Sequence, residues 1–184
     1  MLESVIMEGN RFTYCPACGS KNIMTVKNGR KWECPDCSLE LYNNVATAVG
    51  LLIADGSGGI LFEKRAKEPR KGFLALPGGF TDPDETVEEA AERECIEEIG
   101  VKPESLEYLC SYPNDYEYKG IKYKTCDLFF TAKIPEGSTI KTQESEVEGF
   151  VRMKIETKED VENCPLAFGS AKKTLLKWIE RRGK

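Results

Sequence analysis

The chain of 184 residues contains no histidine. That removes the side chain best suited to general-base work near neutral pH, rules out Ser–His and Cys–His nucleophile pairs, and excludes imidazole-ligated zinc. Tryptophan is scarce, at two residues. Long apolar runs are missing too: the longest, Val45 to Ala54, falls well short of the ~20 residues a membrane-spanning helix needs. The start, MLESVIMEGNRF, has no basic segment followed by an apolar run, so the expected location is cytoplasmic, with no membrane partner. Positive charge is in deficit: 26 Lys+Arg against 31 Asp+Glu give a formal charge of -5. Proteins whose main task is gripping a nucleic-acid backbone usually carry a basic face. What remains for chemistry is carboxylates, lysines, tyrosines and cysteines.

The carboxylates are concentrated in one place. Within GFTDPDETVEEAAERECIEEIGV, Gly79, Glu85, Arg93, Glu94, Glu97, Glu98 and Gly100 stand in a fixed frame. Glu94, Glu97 and Glu98 fall at i, i+3 and i+4, which on a helix projects all three from one face. Like charges so placed repel unless something neutralises them. A hard divalent cation does so, because Mg²⁺ prefers oxygen ligands and commonly sits between protein carboxylates and substrate phosphates. The pattern therefore points to a pyrophosphate substrate.

This spacing, from Gly79 through Gly100-Val101, resembles the Nudix box, and the chain is similar to the Nudix hydrolases. Cys95 stands where the family usually carries an aliphatic residue and is expected to be core. The resemblance implies an α+β chain with the Nudix fold, a mixed β-sheet sandwiched between α-helices. It implies cleavage of the diphosphate bond of a nucleoside diphosphate linked to another moiety, with Mg²⁺ or Mn²⁺ as cofactor. Glu94, Glu97, Glu98 and the Gly78 carbonyl match the metal ligands, Arg93 the arginine that orients the glutamates, and Glu85 a residue supporting that arginine. Glu98 is the first choice of general base, with Glu144 and Glu146 in the later loop as alternatives.

Cys15-Pro-Ala-Cys18 and Cys34-Pro-Asp-Cys37 are separated by a 15-residue insert that contains Asn28-Gly29. Two such pairs joined by a hairpin match a four-cysteine structural zinc site, so Cys15, Cys18, Cys34 and Cys37 are the expected Zn²⁺ ligands. The segment resembles a zinc ribbon. Its first reading is a structural staple or dimerisation element, and many Nudix proteins dimerise, so a homodimer is an expectation. Its second reading is nucleic-acid contact through Arg11, Lys21, Lys27, Arg30 and Lys31 with Phe12, Tyr14 and Trp32, diluted by Glu33, Asp36 and Glu40. Cys95, Cys110, Cys126 and Cys164 scatter and are expected to be reduced thiols.

Tyr42-Asn43-Asn44 reads as a short linker, giving a ribbon over 1–42 and a Nudix domain over 43–184. VATAVGLLIA and ILFEKRA read as a long hairpin, Asp82-Pro83-Asp84 as the start of the catalytic helix, and Ser170 to Arg182 as a final helix. Leu106 to Tyr112 and Ile121 to Ile134 read as strands joined by a tyrosine-rich loop, and Phe150 to Ile155 as another strand.

A zinc ribbon directly ahead of a Nudix domain resembles the NADH pyrophosphatase subfamily, whose Ser-Gln-Pro-Trp-Pro-Phe-Pro segment is here Ser111-Tyr112-Pro113-Asn114-Asp115-Tyr116-Glu117. Serine, the first proline and one aromatic persist. Tyr112, Tyr116 and Tyr118 are the expected substrate contacts by stacking on a nucleobase, with Arg65 and Gly79 beside them. The leading substrate is a small adenine dinucleotide or sugar such as NADH or ADP-ribose. Dinucleoside polyphosphates, an RNA cap, and a nucleotide-sensing role without catalysis are the alternatives.

Overall fold

A computed structural model describes residues 12–55, 57–140 and 147–183. The chain divides into two compact units, Met1–Val45 with Glu117–Tyr123, and Ala46–Tyr116 with Lys124–Lys184.

Among its described residues the first unit holds three short antiparallel strands, β1 (Met24–Val26), β2 (Lys31–Cys34) and β3 (Leu39–Tyr42), in the order β1-β2-β3. The Asn-Gly turn forms as expected, within a four-residue connection, Lys27 to Arg30, between the paired Val26 and Lys31. Lys27, Asn28 and Gly29 all have positive φ, at 51°, 56° and 82°. Tyr42, read as linker, instead ends β3, where it pairs with Lys31. Trp32 is buried and meets Phe12 edge-on with ring centroids 4.9 Å apart.

The second unit is built on two three-stranded sheets. One has the order β4-β8-β7, from β4 (Ala46–Ile53), β7 (Ser105–Tyr118) and β8 (Ile121–Lys133), with β4 and β8 parallel. The other has the order β6-β5-β9, from β5 (Gly59–Arg65), β6 (Leu74–Ala75) and β9 (Val147–Lys154), all antiparallel. Among the described residues three α-helices complete it: α1 (Val87–Glu94), α2 (Lys158–Asn163) and α3 (Gly169–Arg182).

β4 is apolar on both faces because it is covered on both. Val49, Leu51 and Ile53 pack with Ala90, Ala91, Cys95 and Ile99 of the helical segment that begins with α1. Leu52 turns the other way, into a cluster with Phe129, Leu175 and Trp178. Each such side chain removed from water contributes roughly 1.5–3 kcal/mol, which fixes the register of β4 against both layers. This is the expected sheet-between-helices sandwich.

Three expectations need correction. β4 and β5 are not a long hairpin; they touch antiparallel only at Ala54–Ile60 and then part into different sheets, since β4 takes β8 as its parallel neighbour. The tyrosine-rich stretch is not a loop: β7 runs on to Tyr118, and Lys119-Gly120, with φ of 50° and 77°, make the turn. Asp82-Pro83-Asp84 do not start α1. Thr86 does, through a capping box in which its hydroxyl accepts from Glu89 N and its own N–H donates to Glu89 Oε2, at 3.2 and 2.7 Å. A short helix not anticipated, α2, starts by the same device at Thr157 with Asp160.

Candidate active site and zinc centre

The segment Pro77 to Thr81 lies along the free edge of β4. Leu51 N donates to Pro77 O, Val49 N to Gly79 O, and Thr81 N to Thr47 O, at 2.8, 2.8 and 3.1 Å. The two glycines here have separate reasons. Gly78 has φ 140°, and a Cβ on it would lie 2.2 Å from Val49 O. A Cβ on Gly79 would lie 2.4 Å from Glu94 Oε1. The backbone thus presses directly on the carboxylates of the helix.

That helix is not α-helical throughout. After Glu94 it widens into a π-turn over Cys95–Ile99, which Gly100 ends at φ 77°. The three glutamates expected on one face differ in burial. Glu94 and Glu98 are buried, whereas the Glu97 side chain is 51% exposed. Glu98 Oε2 accepts from Gly78 N at 2.7 Å.

Arg93 organises the rest. Its Nε donates to Glu85 Oε2, Nη2 to Glu85 Oε1 and to Phe80 O, and Nη1 to Glu94 Oε1 and Glu97 Oε2, at 3.1, 2.7, 3.0, 2.9 and 3.1 Å. All five guanidinium N–H donors are used. Glu85 also accepts from Asp82 N at 2.6 Å, and Arg93 holds its carboxyl below the usual carboxylate range.

A carboxylate that sequence reasoning missed completes the interior. Glu63 on β5 is 4% exposed, and its charge disfavours ionisation of Glu98. Burial, then Glu63, then Glu94, push the Glu98 carboxyl up to about 10. Burial likewise raises the Cys95 thiol to about 11, so Cys95 is an inert core residue.

The direction of the Glu98 shift fixes a pH dependence. A group whose folded-state pKa is raised contributes stability that is complete below the ordinary carboxylate pKa and is lost as pH rises towards the folded value. With no Mg²⁺ or Mn²⁺ added, the melting temperature of the second unit is expected to fall as pH rises from about 5 to about 9. Glu98→Gln flattens that slope. Scanning fluorimetry across the range checks it, and an equally steep slope in the variant would assign the effect elsewhere.

Of the expected substrate contacts, two come together. Tyr116 packs edge-on against Phe80 with centroids 5.4 Å apart and lies tilted by 33° to Phe168 at 5.7 Å, and the Arg65 guanidinium lies 5.1 Å from the Phe168 ring centre. Phe80 and Phe168 were not anticipated as site residues; position next to the glycine pair is the signal that marks Phe80. Tyr112 lies apart, half-buried against α3 with Lys173 Nζ 5.7 Å from its ring centre. Glu144, Glu146 and the Tyr118 side chain lie outside the described residues.

In the first unit the sulfurs of Cys15, Cys18, Cys34 and Cys37 all lie within 4.8 Å of one another. Cys15 and Cys37 Sγ are 3.6 Å apart, Cys18 and Cys34 Sγ 3.7 Å. Tetrahedral thiolates at a Zn–S distance of about 2.3 Å stand about 3.8 Å apart, so the set fits zinc and is too wide for disulfides. Asp36 ties the knuckles together by accepting from Ser20 Oγ and from Asn22 Nδ2. Two members of the suggested nucleic-acid patch are withdrawn from it: Trp32 is buried, and Lys31 is buried with its ammonium 2.7 Å from Glu33. Arg11 lies outside the described residues.

The NUDIX domain profile matches residues 45–178. The chain belongs to the Nudix family. A NAD-capped RNA hydrolase, NudC, from Deinococcus radiodurans is 32% identical over 165 residues, covering 88% of this chain and 55% of that protein. An ADP-ribose pyrophosphatase from Methanocaldococcus jannaschii is 40% identical over 94 residues, covering 50% of each. The chain thus spans about half the length of these curated relatives. Among solved Nudix structures, a NUDIX hydrolase from Nitrosomonas europaea superposes with a TM-score of 0.60 at 24% identity, covering 92% of each chain. The NUDIX domain of Shewanella oneidensis NrtR, solved with ADP ribose, gives 0.62 at 23% identity over 80% of this chain and 92% of that one. Both share the fold of this Nudix chain. Among the described residues no helix is long and apolar enough to cross a membrane.

Proposed function

We propose that this Nudix protein hydrolyses the diphosphate bond of an adenine dinucleotide or nucleotide sugar, with NADH and ADP-ribose as leading substrates. The observation that carries the reading is the pair of buried carboxylates, Glu94 and Glu98, set against the Gly78-Gly79 backbone and braced by Arg93. Glu85, Glu94 and Glu97 share Arg93 and Glu63 lies 3.9 Å from Arg65, so with Glu98 the carboxylates outnumber the arginines, a surplus of oxygen donors that suits Mg²⁺ or Mn²⁺. When bound, such a cation neutralises diphosphate charge and acidifies a water.

Glu94 and Glu98 are the proposed cation ligands, the Gly78 carbonyl a backbone ligand, and Glu97 a contributor from the exposed rim. Arg93 keeps Glu94 in place by bonding it directly, and Glu85 fixes Arg93 from behind. Glu98 is the proposed general base. Glu146 is kept as the alternative base. The Phe80, Tyr116 and Phe168 rings with Arg65 supply flat faces for a nucleobase, and apolar planes there exclude water from one side of the ligand. The names of the relatives support a nucleoside diphosphate link as the common chemistry. The ribbon is proposed as a structural zinc module.

The test is phosphate release, with added phosphatase, from NADH, ADP-ribose, dinucleoside polyphosphates, nucleoside triphosphates and a NAD-capped oligoribonucleotide. Selective turnover of NADH or ADP-ribose supports the reading; preference for the capped RNA moves the substrate to an RNA end, and silence across the panel with zinc intact removes it. Phe168→Ala is expected to raise KM for the preferred nucleotide about tenfold, the size of one lost base–aromatic stack, with kcat little changed. An unchanged KM would place the base elsewhere.

A further inference from the structure

Asp127 is an acidic residue inside the apolar run Cys126 to Phe130 of β8, and it is buried. Alternation along β8 puts Thr125, Asp127 and Phe129 on one face, where Phe129 packs with Leu175 and Trp178 of α3. Both oxygens of the Asp127 carboxyl are taken by hydroxyls. Oδ1 accepts from Thr125 Oγ1 and Oδ2 from Ser170 Oγ, each at 2.6 Å. Thr125 and Ser170 are buried too, so these bonds lie in the interior, where a lost partner is costly.

The surroundings of Asp127 are the elements that carry the three rings near Arg65. Its partner on β4 is Ala48, which on its other side bridges to Phe80. Thr125 Oγ1 lies 3.5 Å from Asn114 O on β7, and Tyr116 follows Asn114 on the same face of that strand. Ser170 belongs to the first turn of α3 and follows Phe168, which occupies the N-cap. That position favours Ser, Thr, Asp or Asn, whose side chains accept backbone N–H bonds, and phenylalanine has no group to do so. The Ser170–Asp127 bond instead ties the uncapped helix start to β8.

We propose that Asp127 is a positioning residue for the nucleobase: by holding Ser170 it fixes where the Phe168 ring stands relative to Tyr116 and Phe80. This rests on the assignment of those rings to a base in the diphosphate-hydrolase reading. A ring on a loosened helix start must be ordered again at each binding event, and that ordering is subtracted from the stacking energy.

The measurement is calorimetric binding of ADP-ribose and of NADH to the zinc-loaded full chain with no Mg²⁺ or Mn²⁺ added. Ser170→Ala removes one hydroxyl and is expected to weaken binding about fivefold, and Phe168→Ala about tenfold. The double variant is expected to stay near about tenfold, because Asp127 and Ser170 act through Phe168. Independent contributions would multiply to about fiftyfold, a result that would overturn the proposal. Asp127→Ala is expected to match Ser170→Ala. Asp127→Asn is expected to stay within about twofold of wild type, since both hydroxyls can accept as well as donate. A loss with asparagine as large as with alanine would assign the effect to charge beside the ligand and end the positioning role. Unchanged affinity in Ser170→Ala, or a wild type that binds neither nucleotide, overturns it as well. Binding that weakens as expected in a protein that cleaves no diphosphate sinks the hydrolase reading alone, whereas cleavage with all affinities unmoved sinks only this proposal.

Discussion

Glu98→Gln is expected to cut kcat on the preferred diphosphate by about a thousandfold, a loss of ~4 kcal/mol of transition-state stabilisation. The side chain unites several tasks in the proposed mechanism. It is buried, it accepts the Gly78 N–H, it meets Glu63, and it is the proposed base as well as a cation ligand. Glutamine keeps the shape and can accept the same N–H, but it carries no charge and takes no proton. The substitution also removes an ionisable group from a site where ionisation is costly, so the folded protein without added Mg²⁺ is expected to melt higher near neutral pH. Loss of turnover together with a raised melting temperature is a combination that general damage does not produce. Steady-state assays with scanning fluorimetry check both, and turnover within about threefold of wild type would take Glu98 out of the chemistry.

Cys34→Ser is expected to release the zinc and unfold the first unit. Its strands β1, β2 and β3 have only 3, 4 and 4 residues, too few to bury a self-sufficient core. In small zinc modules the metal's binding free energy, ~10–16 kcal/mol, is itself the folding free energy. Zinc content measured after gel filtration should drop from about one per chain to below about one tenth. Trp32, buried two residues from Cys34, should move to longer-wavelength emission, with Trp178 in the second unit as an internal control. Retained zinc, or an unchanged Trp32 signal in a Trp178→Phe background, would show that Cys34 is not a required ligand.

The residues that announced themselves did so through spacing. Cys15, Cys18, Cys34 and Cys37, and the run from Gly79 to Gly100, use residue types whose chemistry makes sense only at fixed intervals. Arg93 was readable for the same reason, although its bond to Phe80 O was not. Glu63 was hidden because an acidic residue in FEKR reads as the polar phase of a strand, and its place on a central strand between β6 and β9 is settled only by the whole sheet. The supposed β4–β5 hairpin failed for a related reason. Two apolar runs around a glycine-rich turn look paired, but choice of partner belongs to the whole sheet, and β8 arrives from 79 residues further along, with Ala46 opposite Thr125 and the same offset at every later pair. Thr157 could have been read: Thr-x-x-Asp ahead of a short helix is a starting signal, and α2 follows it.

The π-turn at Cys95–Ile99 has a consequence for how this protein can change over evolutionary time. A π-turn carries one more residue than the α-turn it replaces, so its length is itself informative. Substitutions on its outer side, at Ile96, alter a surface and leave the geometry alone. An insertion or deletion of a single codon between Glu94 and Gly100 would rotate Glu98 away from Gly78 and Glu63 together. At Cys95, Ile96 and Ile99, between the fixed glutamates, length is therefore under tighter constraint than letter, and variants of the protein should diverge there by replacement and never by gaps.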